Sequence, residues 1–165
     1  MTEPAVDQLL YLLDEAFAGD DWHSLLGNLR AIAPEEWLWK PTGGDRSLRD
    51  LVAHVGGCTF MYDNHAFGDA SLDWDHPLVT GERAVADTTT ALAWLREAHA
   101  SLRHSLATLT DADLDRPRMT NWGEPKPTRW IVMIMIQHDL YHTGEINHLR
   151  SLYRGDDRWE HEREA

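Results

Sequence analysis

The chain has 165 residues, enough for one domain with its own core, and carries 28 Asp+Glu against 15 Lys+Arg, a formal charge of −13. Such a surface repels phosphate backbones and anionic lipid, which argues against nucleic acid or a membrane surface as partner. Cys58 is the single cysteine, so no disulfide can form within the chain.

The N-terminal stretch MTEPAVDQLLYLLDEAF is acidic and amphipathic, without the basic and apolar regions of a signal peptide. The longest apolar run, Trp130 to Ile136, falls far short of the ~20 residues needed to span a bilayer. Together these features predict a soluble cytoplasmic protein.

Val6, Leu9, Leu10, Leu13, Ala16 and Phe17 recur at helical spacing. Gly19-Asp20-Asp21 interrupts the pattern, which resumes at Trp22, Leu25, Leu26, Leu29 and Ile32 as a second short helix or a kinked continuation. Pro34 is expected to end it and to open a loop, PEEWLWKPTGGDR. Ser47 then caps a second long helix, with Asp50 three residues on as a near match to a capping box. Leu48, Leu51, Val52, Val55, Cys58, Thr59 and Tyr62 mark its apolar face, and Gly68 is a plausible stop. Gly56-Gly57 costs roughly 1 kcal/mol of helicity per residue, which in mid-helix implies a close neighbour or a bound group.

Asp69 to Ala86 is polar and reads as a connection long enough to cross a bundle. Asp87 caps a third helix with Leu92, Leu95, Leu102, Leu106 and Leu109 on one side. Residues 110–127 form a second long loop with no strand alternation, and Thr128 is expected to cap the fourth helix, which runs to Tyr153 with Gly155 after it. Trp130–Ile136 is apolar all round and should be buried on most sides. The pattern predicts an all-α four-helix bundle over residues 1–155, followed by a charged tail, 156–165, in which Trp159 is the one candidate for docking.

Chemistry concentrates in Gln137 to Arg150, QHDLYHTGEINHLR. His138 and His142 lie one helical turn apart and continue the apolar stripe of Ile131 and Met135. Buried ring nitrogens need partners, so the pair is either a satisfied core pair or two metal ligands. The third ligand should come from another helix. His54 is the best candidate, in phase with Leu51, Val55 and Cys58 and so expected to face the core. Three neutral imidazoles leave a coordination position open, the pattern of a reactive site, and suit Zn, Ni, Fe or Cu.

Cys58, one turn from His54, is a fourth ligand, a nucleophile or a small apolar filler. His65 lies roughly 16 Å further along the axis and is left a structural hydrogen bond at the helix end. Glu145, one turn after His142, is a candidate to orient a ligand or is a solvated charge, and Tyr141 is a candidate donor or a core residue. HDLYH departs from the HExxH protease pattern because Asp139 is a methylene shorter than Glu. His23, His76, His99, His104, His148 and His161 carry no spacing argument and read as surface or structural residues.

WLWKP, SLRDLVAHV, YDNHAFGD and QHDLYHTGEINHLR together resemble the DinB/YfiT-like superfamily over nearly the whole chain. The resemblance implies an up-down-down-up four-helix bundle with a long crossover between helices two and three. It also implies a divalent metal, often Zn, Ni or Fe, on His54, His138 and His142, and a homodimer. The activities it implies diverge: metal-dependent hydrolysis, thiol S-transfer with bacillithiol or mycothiol, and a mycothiol-dependent isomerisation. The readings weighed for this chain are transfer of a low-molecular-weight thiol to an electrophilic small molecule, metal-dependent hydrolysis, and a non-catalytic metal or small-molecule binding role in stress response.

Overall fold

Residues 3–82 and 86–157 are described by a computed structural model, and among them the chain is mostly helical. Helix α1 (Pro4–Ala18) starts with proline in its first turn and buries Val6, Leu13, Ala16 and Phe17. The apolar pattern beyond Gly19 yields only a single turn, α2 (Leu25–Asn28), capped by the Ser24 hydroxyl, which accepts from the Gly27 N–H. Pro34 does not end a helix as expected. It begins one, α3 (Pro34–Leu38), because its fixed φ and missing N–H suit the first turn, where no intrahelical donor is needed.

Helix α4 (Leu48–Phe67) follows the Ser47–Asp50 capping box: the Ser47 hydroxyl accepts from the Asp50 N–H, and the Asp50 carboxylate accepts from the Ser47 N–H at 2.9 Å. The glycine pair has close neighbours on both sides. A Cβ at Gly56 would lie 2.1 Å from Trp94, and one at Gly57 would lie 2.4 Å from the Val79 carbonyl oxygen. Val79 belongs to α5 (Pro77–Thr80), a short helix inside the stretch expected to hold no element.

Helix α6 (Thr88–Ala107) is capped by Asp87 and buries Trp94, Leu95, Ala98, Leu102 and Leu106. The long loop after it holds a 3-10 turn (Asp111–Asp115) and a two-stranded antiparallel hairpin, β1 (Pro117–Met119) with β2 (Pro125–Pro127). Strands of three residues with prolines at their ends are too short to show alternation in a sequence. Helix α7 (Thr128–Arg154) ends at Gly155, whose φ of 63° is the left-handed stop. Thr128 is its first residue rather than its cap, and its buried hydroxyl instead donates to the Arg116 carbonyl and accepts from Arg118 Nε.

Helix α4 packs against α6 and α7, and α1 packs against the same two. Two apolar clusters result, one around Trp94, Leu51, Val52 and Ile146, the other around Leu13, Leu102, Leu106 and Met135. The run Trp130–Ile136 is buried on most sides, as expected, with Met133 on the outer face of α7 39% exposed. The far end of α7 is held by a buried network: Arg150 Nε donates to Glu36 at 2.7 Å and its guanidinium to the Asn28 carbonyl, while Asn147 donates to the Asn28 side chain. No described helix is long and apolar enough to cross a membrane. Trp159 lies outside the described residues.

Candidate metal centre

Helix α4 carries His54 to the side of α7 that presents His138 and His142. The Nε2 atoms of His54 and His138 face each other at 3.2 Å, and the ring centroids of His142 lie 4.9 Å from His54 and 4.4 Å from His138. One ligand nitrogen from each ring lies within 4.8 Å of the other two. Among the described residues this is the one group of three His, Cys, Asp or Glu side chains so arranged. Two nitrogens bound to one ion at about 2.2 Å can be no more than about 4.4 Å apart, so a few tenths of an ångström of ring rotation brings all three into bonding range.

Burial across the cluster is graded: His54 is exposed, His138 half-buried and His142 buried. His54 therefore does not face the core as its spacing suggested. Position 54 stands on the flank of the Leu51, Val52 and Val55 stripe, because each residue turns the helix by about 100°. The centre consequently lies at the edge of the helical core, open on one side.

One further observation fits a cation here. Glu145 accepts a 2.8 Å hydrogen bond from His142 Nδ1, which fixes the proton there and leaves the lone pair on Nε2. Glu145 is itself held by Arg46, whose guanidinium donates at 3.1 Å. Burial, reinforced by His142 and His54, pushes the His138 pKa down to about 4. Burial, then His142 and Arg46, also lowers that of His54, with Glu145 opposing. Both rings are neutral at pH 7 with lone pairs available.

Cys58 is buried, with its Sγ 3.7 Å from His54 Nδ1, and burial followed by the Asp139 carboxylate pushes its pKa up to about 11. That is a neutral thiol, and it fits the filler role better than a nucleophile. Tyr141 is not a core residue: it is 70% exposed, with its ring edge-on to His142 at 4.9 Å. Asp139 turns away from the histidines into the core, which removes the general base that an HExxH-like reading requires. His65 bonds the Leu72 carbonyl at 2.9 Å, the structural role expected of it. His23 pairs with Asp20, His76 accepts from the Leu78 N–H, and His99 pairs with Asp14 while stacking on Phe17.

Beside the cluster, between the loop before α4 and the end of α7, lies a cavity of about 220 Å³ whose wall includes Arg46, Leu51, Glu145, His148 and Leu149. Trp39 is not part of that wall and packs edge-on to Tyr153. Arg46 and His148 carry no periodic signal. The only hint for Arg46 is its place just before the Ser47 cap, which directs it at the mouth of α4.

A comparison with curated proteins finds no match. The family model described as the DinB superfamily matches residues 19–146, a span that includes all three histidines. The chain belongs to the DinB superfamily.

Proposed function

We propose that the protein is a metal-dependent enzyme that holds a divalent ion on His54, His138 and His142 and transfers a low-molecular-weight thiol to an electrophilic small molecule. The observation that carries this reading is the convergence of three imidazoles at an open edge, two of them held neutral mainly by burial and the third oriented by Glu145. A Zn, Ni or Fe ion there supplies the charge that lowers a thiol pKa toward neutrality. The chain's residues do the rest. Glu145 fixes the His142 tautomer, Arg46 holds Glu145, and the cavity wall positions the acceptor.

Hydrolysis ranks second because it needs a free general base. Glu145 is committed to His142 and Arg46, and Tyr141 is a phenol at the surface. A non-catalytic metal-binding role in stress response is the third reading. The same superfamily membership, with the long connection after Gly68, supports an up-down-down-up four-helix bundle over 1–155, a cytoplasmic location and a homodimer.

Metal analysis of the purified protein, with His54→Ala and His142→Ala beside it, tests the ligand set: unchanged metal content in the variants would remove it. Incubation with a thiol and an electrophile tests catalysis. Thiol consumption no faster than with the triple histidine variant would leave a binding protein.

A further inference from the structure

The cavity beside the histidines has a chemistry of its own. Its floor is aliphatic, from Pro41, Leu51, Leu149 and Leu152, and among the described residues its one permanent cation is Arg46. Arg46 is 63% exposed and, among the described residues, has a single side-chain partner, Glu145, so most of its five N–H donors remain for a ligand. Glu145 is the obvious anchor for a cationic ligand, yet its two oxygens are already taken by His142 and Arg46. Its charge is compensated where it stands. Asp45 also lines the cavity and, with the chain's charge of −13, disfavours ligands of high negative charge. At about 220 Å³ the space is below the ~300 Å³ at which pockets for drug-sized ligands begin.

We propose that this cavity is the substrate subsite and selects a small monocarboxylate, with the carboxylate on Arg46 and an aliphatic body along Leu51, Leu149 and Leu152. The proposal deepens the reading of the histidine cluster as a reactive centre and rests on it for the word substrate; the binding itself does not. Arg46 sits between the cavity and the cluster, bonded to the carboxylate that orients His142 and close enough to His54 to lower its pKa. An anion held by Arg46 therefore has its head group toward the histidines and its chain directed away from them. The guanidinium offers two parallel donors to a carboxylate, which a lysine at this position would not.

The test is a ligand-observed NMR titration of the full chain with hexanoate, hexanamide and hexylamine. Hexanoate is expected to bind on the order of tenfold more tightly than the other two, as a charge-assisted pair would give. Arg46→Gln is expected to abolish that preference, and Leu152→Ser, at a residue 49% exposed, to weaken hexanoate severalfold while keeping it. Equal binding of the three probes, or a preference for hexylamine, would overturn the proposal, as would an Arg46→Gln protein that still prefers hexanoate. Should Arg46→Gln not fold, the probe series and Leu152→Ser decide alone. Each titration is run on chelator-treated and on zinc-loaded protein with metal stoichiometry measured. Hexanoate preference without any metal binding would support the subsite and remove the metal reading. Stoichiometric zinc with three equal probes would remove the subsite only.

Discussion

Asp139 is a costly residue in the core, and its cost can be measured. Its carboxyl is 5% exposed, its Oδ1 has no hydrogen-bond partner, and burial pushes its pKa from 3.8 up to about 7. The cavity it lines among Leu13, Phe17, Thr59 and His99 holds about 10 Å³, the lower limit for one water, so little solvent relieves it. In the unfolded chain this carboxyl ionises near pH 4, while in the fold it stays protonated until about 7. Between those values the unfolded state binds fewer protons, so the contribution to stability is full below pH 4 and is lost as pH rises toward 7. A rise of about three units at about 1.4 kcal/mol each gives a loss of roughly 4 kcal/mol, complete above pH 7. Asp139→Asn keeps the shape and cannot ionise. In urea unfolding of chelator-treated protein the variant is expected to match the wild type within about 1 kcal/mol at pH 4.5, and to exceed it by up to about 4 kcal/mol at pH 8. Taking the difference between the two proteins cancels the other titrating groups. A difference that is flat from pH 4.5 to 8 would refute the reasoning.

Glu145→Gln, which keeps the size but weakens the acceptor on His142, is expected to lower zinc affinity by about 10–100-fold in a competition titration, with the fold intact by circular dichroism. Three imidazoles of ordinary pKa 6.5 would lose roughly 50-fold in zinc affinity between pH 7.5 and 6 through proton competition. With His138 at about 4 and His54 lowered, the loss is expected to be clearly smaller, and a full loss of about 50-fold would contradict the lowered values. Two glycine replacements should differ in sign. Gly56→Ala drives a methyl into buried Trp94 and is expected to cost about 1–3 kcal/mol or more in thermal unfolding, whereas Gly144→Ala, with nothing within 4 Å of the new carbon, should gain up to about 1 kcal/mol. Arg150→Met leaves buried Glu36 with only the longer Arg154 contact at 3.7 Å and should cost up to about 3–5 kcal/mol in the same assay.

The long helices are legible in the sequence because their signals are local and redundant. Ser47, Asp50 and Gly68 bracket α4 by chemistry that acts over three or four residues, and Asp87 does the same for α6. The histidine pair is legible because a spacing of four is one turn. The burial order of the three rings is not, since whether His54 lies inside or on the flank depends on how α4 is rotated against α7, a tertiary quantity. Thr128 looks like a cap from its type alone, and the hydroxyl instead serves the Arg116 carbonyl across the loop. Arg46, Glu145 and His142 form a chain only after residues 99 positions apart are packed together. Glu145 was visible as one turn from a histidine, while Arg46 in a loop had no period to betray it.

The buried Arg150–Glu36–Asn28 network gives the histidine site an unusual tolerance. Helix α7 is pinned in azimuth at both ends, by Thr128 and Arg118 at the start and by Arg150 near the finish. Neither pin touches the cluster, yet together they set the direction in which His138 and His142 point. Side chains on the outer face of α7, such as Gln137 and Leu140, can be exchanged without changing that direction. A one-residue insertion between His142 and Arg150 would instead rotate the two ends by about 100° against each other, and one anchor or the cluster would have to yield. The site is thus robust to substitution and brittle to changes of length, so chemical variety in such a scaffold is free to arise by repainting the face of α7 and the loop that carries Arg46 while the frame is left alone.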